Sequence, residues 1–193
     1  MLSIGIDPSL TDTGIVIIED GKVICSKDVK SGSEGKNVVK RIGRINEISK
    51  QINAIISENI GVKDTEQILV IEGYSFGSHG GMGISLGEAG GVFRTNLIKD
   101  FPKAIFIEVP PTRLKKFITG KGNCEKDLIL KEVYKNFGYD TSNNNIADAF
   151  GLSLWGYALY CIKNKLPFNF NKKKLTTQQL EMIEESIKTS EKE

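Results

Sequence analysis

Three carboxylates, Asp7, Glu72 and Asp148, sit where residues of their type can do chemistry. Asp7 ends the short apolar run Leu2-Ser3-Ile4-Gly5-Ile6, and Pro8 follows, which lacks the N–H that a central strand must donate. Glu72 ends a second apolar run, Gln67 to Ile71. Asp148 falls in the first turns of a stretch, Asn143 to Lys163, that is apolar nearly all round. Singly, each has a plain explanation: a turn aspartate before proline, an exposed strand end, and a charge that complements a helix N-terminus. Together they have another, since neighbouring carboxylates repel each other unless a cation lies between them. Oxygen donors without His or Cys select Mg²⁺ or Mn²⁺ over zinc. Sites of that kind commonly act on phosphate esters, with two ions about 3.5–4 Å apart clamping the attacking and leaving oxygens.

The elements that must position these groups follow from periodicity. Alternation puts Leu2, Ile4 and Ile6 on one face of the first strand and Ser3, Gly5 and Asp7 on the other, which carries almost no bulk. Thr13 to Ile18 and Lys22 to Val29 read as two more strands joined by the turn Glu19-Asp20-Gly21, so the first three form an antiparallel meander. Apolar steps of three and four over Asn37–Ile60 mark an amphipathic helix. A right-handed crossover through that helix pairs the strand at 67–71 parallel with the first. Asp7 and Glu72 then share one edge of the sheet, the edge at which open α/β sheets bind ligands.

Next come a glycine-rich loop from Gly73 to Gly81 and a helix over Ile84–Ile98 notched by Gly87, Gly90 and Gly91. That notch suits close packing either against a twin helix in a dimer or against the chain's own sheet. Ala104–Val109 is a fifth strand, and Thr112–Ile118, Glu125–Phe137 and Asn143–Lys163 are helices. The predicted class is α/β with three layers: a mixed five-stranded sheet, antiparallel over its first three strands and then parallel, flanked by helices. Residues 1–163 make this domain. Residues 164–193 are a basic linker with Lys165, Lys172, Lys173 and Lys174, then a helix opened by capping-box spacing between Thr176 and Gln179. Leu180, Ile183 and Ile187 share the face by which that helix would dock.

Composition narrows the class without naming it. At 193 residues with 39% hydrophobic and 26% charged, the chain has enough apolar material for one full core. A net charge of +2 means that any basic surface is local. Cys25, Cys124 and Cys161 are far apart with no C-x-x-C spacing, which argues against zinc or a disulfide framework and suits a reducing cytoplasm. No signal peptide opens the chain, and the longest apolar stretch, Ala147 to Ile162, falls short of a membrane span. The expectation is a cytoplasmic protein with no membrane partner.

Five motifs in chain order carry a resemblance. Gly5-Ile6-Asp7-Pro8-Ser9-Leu10-Thr11-Asp12-Thr13-Gly14, Val70-Ile71-Glu72-Gly73, Leu86-Gly87-Glu88-Ala89-Gly90-Gly91-Val92, Gly120-Lys121-Gly122-Asn123-Cys124-Glu125-Lys126 and Asn145-Ile146-Ala147-Asp148-Ala149-Phe150 resemble the RuvC family of Holliday-junction resolvases. The likeness runs over about residues 1–162, and the short chain with its basic, helical tail is more similar to the phage-type branch. It implies an RNase H-like, homodimeric endonuclease that cuts four-way or branched DNA by paired symmetrical nicks, leaving a 5′-phosphate and a 3′-hydroxyl. It also implies that Asp7 bridges two Mg²⁺ or Mn²⁺ ions, that Glu72 and Asp148 ligate one each, and that Lys126 stabilises the developing charge. One departure stands out: the family's further acidic residue, three positions before the last aspartate, is Asn145 here. Its amide oxygen can ligate an ion without contributing charge, which predicts weak second-ion binding and a preference for Mn²⁺ or high Mg²⁺. Asp12 and Asp140 are weaker stand-ins.

DNA contacts are expected from Arg113, Lys115, Lys116, Lys121 and Lys126, a basic run between the last strand and the acidic helix. A charge run is often only a solvated face, but lysines here supply the counter-ion release that dominates DNA affinity. Gly120-Lys121-Gly122 lacks the Ser/Thr of a nucleotide-binding Walker loop. Tyr74 and Phe76, in the loop after Glu72, are candidates either for stacking on unpaired bases or for a core contact. His79, in the same loop, reads as solvated. Two rivals complete the reading. One is an actin/sugar-kinase-like phosphotransferase, for which the chain lacks a second half. The other is a junction-binding protein whose cleavage has weakened or been lost at Asn145.

Overall fold

The computed structural model describes residues 1–9, 12–32, 37–60, 65–73 and 81–190, without the side chains of 81–86, 189 and 190. Strands β1 (Leu2–Asp7), β2 (Asp12–Glu19) and β3 (Lys22–Lys30) are followed by helix α1 (Val38–Ile60) and strand β4 (Gln67–Glu72). Helix α2 (Gly81–Asp100), strand β5 (Ile105–Val109) and helices α3 (Pro111–Thr119), α4 (Lys126–Phe137), α5 (Asn144–Lys163) and α6 (Thr177–Ser190) complete the chain. The five strands form one sheet in the order β3-β2-β1-β4-β5, with β1–β2 and β2–β3 antiparallel and β1–β4 and β4–β5 parallel. That is the sheet read from the sequence. The helix α2 begins at Gly81, three residues before the predicted Ile84, because a glycine-rich sequence signals loop although its backbone is free to turn helically.

The sheet divides the core into two. Leu2, Ile4, Ile6, Ile15, Ile17, Leu69 and Ile71 pack against Ile45, Ile48, Ile52 and Ile56 of α1 and Phe93 and Leu97 of α2. Val16, Ile18, Ile68 and Val70 face α5, beyond which lie α3, α4 and α6. Burying an aliphatic side chain of this size contributes roughly 1.5–3 kcal/mol, so either layer alone holds its helices firmly.

The tail helix docks on this domain through two of the three predicted residues, Ile183 and Ile187, and through two others, Gln179 and Met182. The capping box forms: Thr176 Oγ1 accepts from the Gln179 N–H, and Gln179 Oε1 accepts from the Thr176 N–H at 2.9 Å. Gln179 Nε2 then donates to the carbonyl of Phe117 in α3 at 2.7 Å. Met182 and Ile183 are buried, whereas Leu180 is exposed. Of the predicted face only Leu180 turns outward, and Gln179, which docks through its amide, leaves no apolar mark in the sequence.

Candidate active site

Glycine sets the floor of the site. A Cβ on Gly5 would overlap the carbonyl oxygen of Ala149 and the amide nitrogen of Ser153, and one on Gly14 would overlap the carbonyl of Asn145. Helix α5 therefore lies directly on the backbone of β1 and β2. Ser3 and Ser153 fix its position along β1: Ser3 Oγ donates to the Ser153 carbonyl at 2.6 Å, and Ser153 Oγ to the Ser3 carbonyl at 2.7 Å. The bare face of β1 is thus occupied by a helix backbone, and Asp148 arrives beside Ala149 near the end of the strand that carries Asp7.

Parallel register does the rest. Ile6 of β1 stands opposite Ile71 of β4, so the next residues, Asp7 and Glu72, leave the sheet side by side. Asp7 is 8% exposed, and its carboxyl is held well above the usual carboxylate range by burial, then by the charges of Glu72 and Asp148. Glu72 is pushed up to about 7 by burial and by Asp148. Burial pushes Asp148 up to about 6, against the pull of Lys126 and Lys115. Asp7 and Glu72 are close enough to act on each other directly, and burial of the pair favours protonation of Asp7.

This donor set fits a divalent cation. Asp148 Oδ1 is buried with no hydrogen-bond partner, which is costly for a carboxylate oxygen unless something else binds it. Among the described residues no three His, Cys, Asp or Glu are arranged to hold an ion as they stand.

Asn145 sits one helical turn before Asp148. Its Nδ2 donates to the backbone carbonyl of Asp12 at 3.0 Å. A carbonyl only accepts, so the amide nitrogen must face Asp12 and the oxygen is left for the opposite side. Asn143 caps the helix, accepting from the N–H groups of Asn145 and Ile146. Asp12 lines an open pocket with Asn145 and Lys126, whereas Asp140 is exposed and lies outside that pocket.

The basic run separates into groups. Lys115 acts electrostatically on Glu72 and Asp148, and Lys126, the first residue of α4, acts on all three carboxylates. Lys116 lines a different cavity, with Lys173 and Lys174, and Lys121 is exposed in the turn after α3. Arg113 is committed to the tail: it donates to the Met182 carbonyl at 3.2 Å, pairs with Glu185 at 2.9 Å and lies over the Trp155 ring at 5.8 Å. Tyr74, Phe76 and His79 lie outside the described residues.

Two positioning residues escape sequence reasoning. Arg94 of α2 donates to the backbone carbonyl of Glu72 at 3.1 Å and pairs with Glu108 of β5 at 2.8 Å. Gly73 N–H donates to the Val109 carbonyl at 2.8 Å. Together these fix the end of β4 from two sides. The signal available was Glu108, an acidic residue near the end of β5 as Glu72 is at the end of β4.

Comparison with known proteins decides the family. The sequence model of the family "Crossover junction endodeoxyribonuclease RuvC" matches residues 3–155. The chain belongs to the RuvC family. RuvC of Prochlorococcus marinus is 30% identical over 164 residues, covering 82% of this chain and 99% of that protein. RuvC of Carboxydothermus hydrogenoformans is 26% identical over 162 residues, covering 81% and 96%. Thermus thermophilus RuvC, solved in complex with a Holliday junction substrate, has the same fold, with a TM-score of 0.64 at 17% identity over 91% of this chain and 99% of that one. Membership excludes the sugar-kinase alternative and makes the chain a metal-dependent nuclease. The RuvC match ends before the α6 tail begins.

Proposed function

We propose that this chain resolves Holliday junctions and related branched DNA in the cytoplasm, as a homodimer making paired symmetrical nicks, with two Mg²⁺ or Mn²⁺ ions in each active site. The observation that carries the reading is the convergence of Asp7, Glu72 and Asp148 from β1, β4 and α5, with Asp148 Oδ1 buried and unpartnered. Bound divalent ions would supply a water nucleophile at neutral pH and stabilise the charge on the attacking and leaving oxygens. Asp7, at the end of β1 beside Glu72 on β4 and under α5, which carries Asp148, would be the ligand shared by the two ions, with Glu72 and Asp148 holding one each. Asn145 offers its amide oxygen, held outward by the Asp12 carbonyl. Lys126 and Lys115 bring positive charge to the carboxylates, where a scissile phosphate has to enter, and Lys126 stabilises the developing negative charge.

Arg113, Lys116 and Lys121 are assigned to DNA backbone contacts, Arg113 only by way of its exposed edge beside α6. Tyr74 and Phe76 remain the candidates for base stacking in the loop after Glu72.

The test is a synthetic four-way junction incubated with Mg²⁺ or Mn²⁺, read for symmetrical nicks in opposite strands. Asp7→Asn is expected to lower cleavage by about 10³-fold, the scale of losing a main electrostatic contributor, while junction binding persists. Binding without cutting by the wild type would favour the rival in which Asn145 has cost the chain its cleavage. Titration of each metal sharpens this: a single tight saturation by Mg²⁺ equal to that by Mn²⁺ would overturn weak second-ion binding.

A further inference from the structure

Two β-turns in this molecule have positive φ at both central residues, and the second of those residues is glycine in one and lysine in the other. The turn between β2 and β3 has positive φ at both central residues, Asp20 (46°) and Gly21 (80°). A second turn, in the tail, runs from Phe170 to Lys173, with Lys173 N–H donating to the Phe170 carbonyl at 2.9 Å and an isolated β-bridge between the two residues. Its central residues are Asn171 (φ 47°) and Lys172 (φ 62°). Positive φ at both positions marks the type I′ turn, whose second central residue is usually glycine. Asp20-Gly21 follows that preference, whereas the tail turn has lysine at the same place.

The rest of the chain holds the turn rigidly. Phe170 is buried and packs edge-on against Phe150 of α5. Asn171 Nδ2 donates to the Phe137 carbonyl at the end of α4 at 2.6 Å, and Lys172 N–H donates to Asn169 Oδ1 at 3.2 Å. Lys165, just after α5, also takes positive φ (55°) where a helix usually ends in glycine. Strain held in place at a side chain that the fold does not need points to a use for that side chain.

Lys173 and Lys174 line an open cavity of about 260 Å³ with Lys116 of α3, Thr119, Asn136 and Gln178, and among the described residues no acidic one borders it. Glu132, which accepts from Asn136, is engaged with Lys135. Lys116, Lys173 and Lys174 are all exposed, so their charges stand open to an anion that enters this cavity. Lys115 and Lys116 are adjacent on α3, one acting on the carboxylates and the other lining this cavity, so α3 connects the two surfaces.

We propose that Lys172, Lys173 and Lys174, with Lys116, form a second contact surface for the phosphates of a duplex DNA arm, added to the RuvC domain by its tail. The inference rests on the junction-binding reading above. It extends the DNA path across α3 into residues that lie outside the RuvC match.

The experiment measures junction affinity over a range of salt concentrations, with Ca²⁺ in place of the catalytic ion. Each lost phosphate contact flattens log K against log salt by about 0.9. Lys172→Gly/Lys173→Ala/Lys174→Ala is expected to reduce the slope by about 2 to 3 and weaken binding at least tenfold on long-armed junctions. That difference should shrink on junctions whose arms are cut short. Lys172→Gly alone should raise the thermal midpoint, since glycine accepts the turn without strain, while flattening the slope by about 1. Wild-type affinity and slope in the triple variant would overturn this proposal, as would a triple-variant deficit that does not depend on arm length. Failure of the wild type itself to bind four-way junctions would instead overturn the reading on which the proposal rests.

Discussion

The two faces of β1 hold their helices by opposite means. Toward α1 and α2 the strand shows Leu2, Ile4 and Ile6, and contact is made by interlocking hydrocarbon. Toward α5 it shows Ser3, Gly5 and Asp7, and contact is backbone against backbone, pinned by the Ser3–Ser153 pair of hydrogen bonds. A hydrocarbon layer tolerates small changes in volume because its side chains can shift. A backbone contact has nothing that can give way. The second kind of contact fixes the position of Asp148 relative to Asp7, and that is the face on which the carboxylates meet.

Substitutions at neighbouring residues of β1 would break this comparison most directly. Gly5→Ala drives a methyl into the α5 backbone and is expected to cost about 3 kcal/mol in urea unfolding, with cleavage reduced more than tenfold as Asp148 is displaced. Ile4→Val, on the opposite face, should cost about 1 kcal/mol and leave cleavage intact. Equal effects at the two positions would show that the faces do not differ in the way described.

A pH profile gives a smaller effect. Asp7, Glu72 and Asp148 all have folded-state pKa values above their ordinary ones, Glu72 at about 7 and Asp148 at about 6. The folded chain therefore holds protons that the unfolded chain has released. Stability fully present below about pH 4 is lost as pH rises through 6 and 7, on the order of 2 kcal/mol. Urea midpoints measured with chelator at pH 5 and pH 8 should show that fall, and excess Mg²⁺ or Mn²⁺ should remove it. A flat profile in chelator would mean that the carboxylates are better solvated than the structure indicates. An effect as small as that of Ile4→Val is expected from Ser153→Ala, about 1 kcal/mol, because it leaves the Ser3 carbonyl one donor short.

Much of this site was legible because the residues that build it lie at punctuation points of the chain. Asp7 precedes a proline, Glu72 ends an apolar run, and Asp148 is a lone charge in an apolar helix. Gly5 was legible as a gap in the alternation, and the structure shows α5 filling that gap. The Arg94–Glu72–Glu108 connection was not legible, since three elements supply it and only the sheet order brings them together. The division of the basic run was hidden for a similar reason. Arg113, Lys115 and Lys116 are consecutive or nearly so, yet helical rotation sends them to the tail, the carboxylates and the lysine cavity respectively. Charge in a run gives its sign but not its direction.

Trp155 is the chain's one tryptophan. It is buried against Phe117, with its indole Nε1 lacking a hydrogen-bond partner, and it is covered by the Arg113 guanidinium that Glu185 of α6 holds in place. The molecule thus carries a built-in optical probe at the joint between domain and tail. Lifting α6 away releases the cation from the ring and admits water to the indole, so emission should shift to the red while the rest of the fold is intact. Intrinsic fluorescence, followed during DNA titration without any label, would report whether the tail stays seated when a junction is bound.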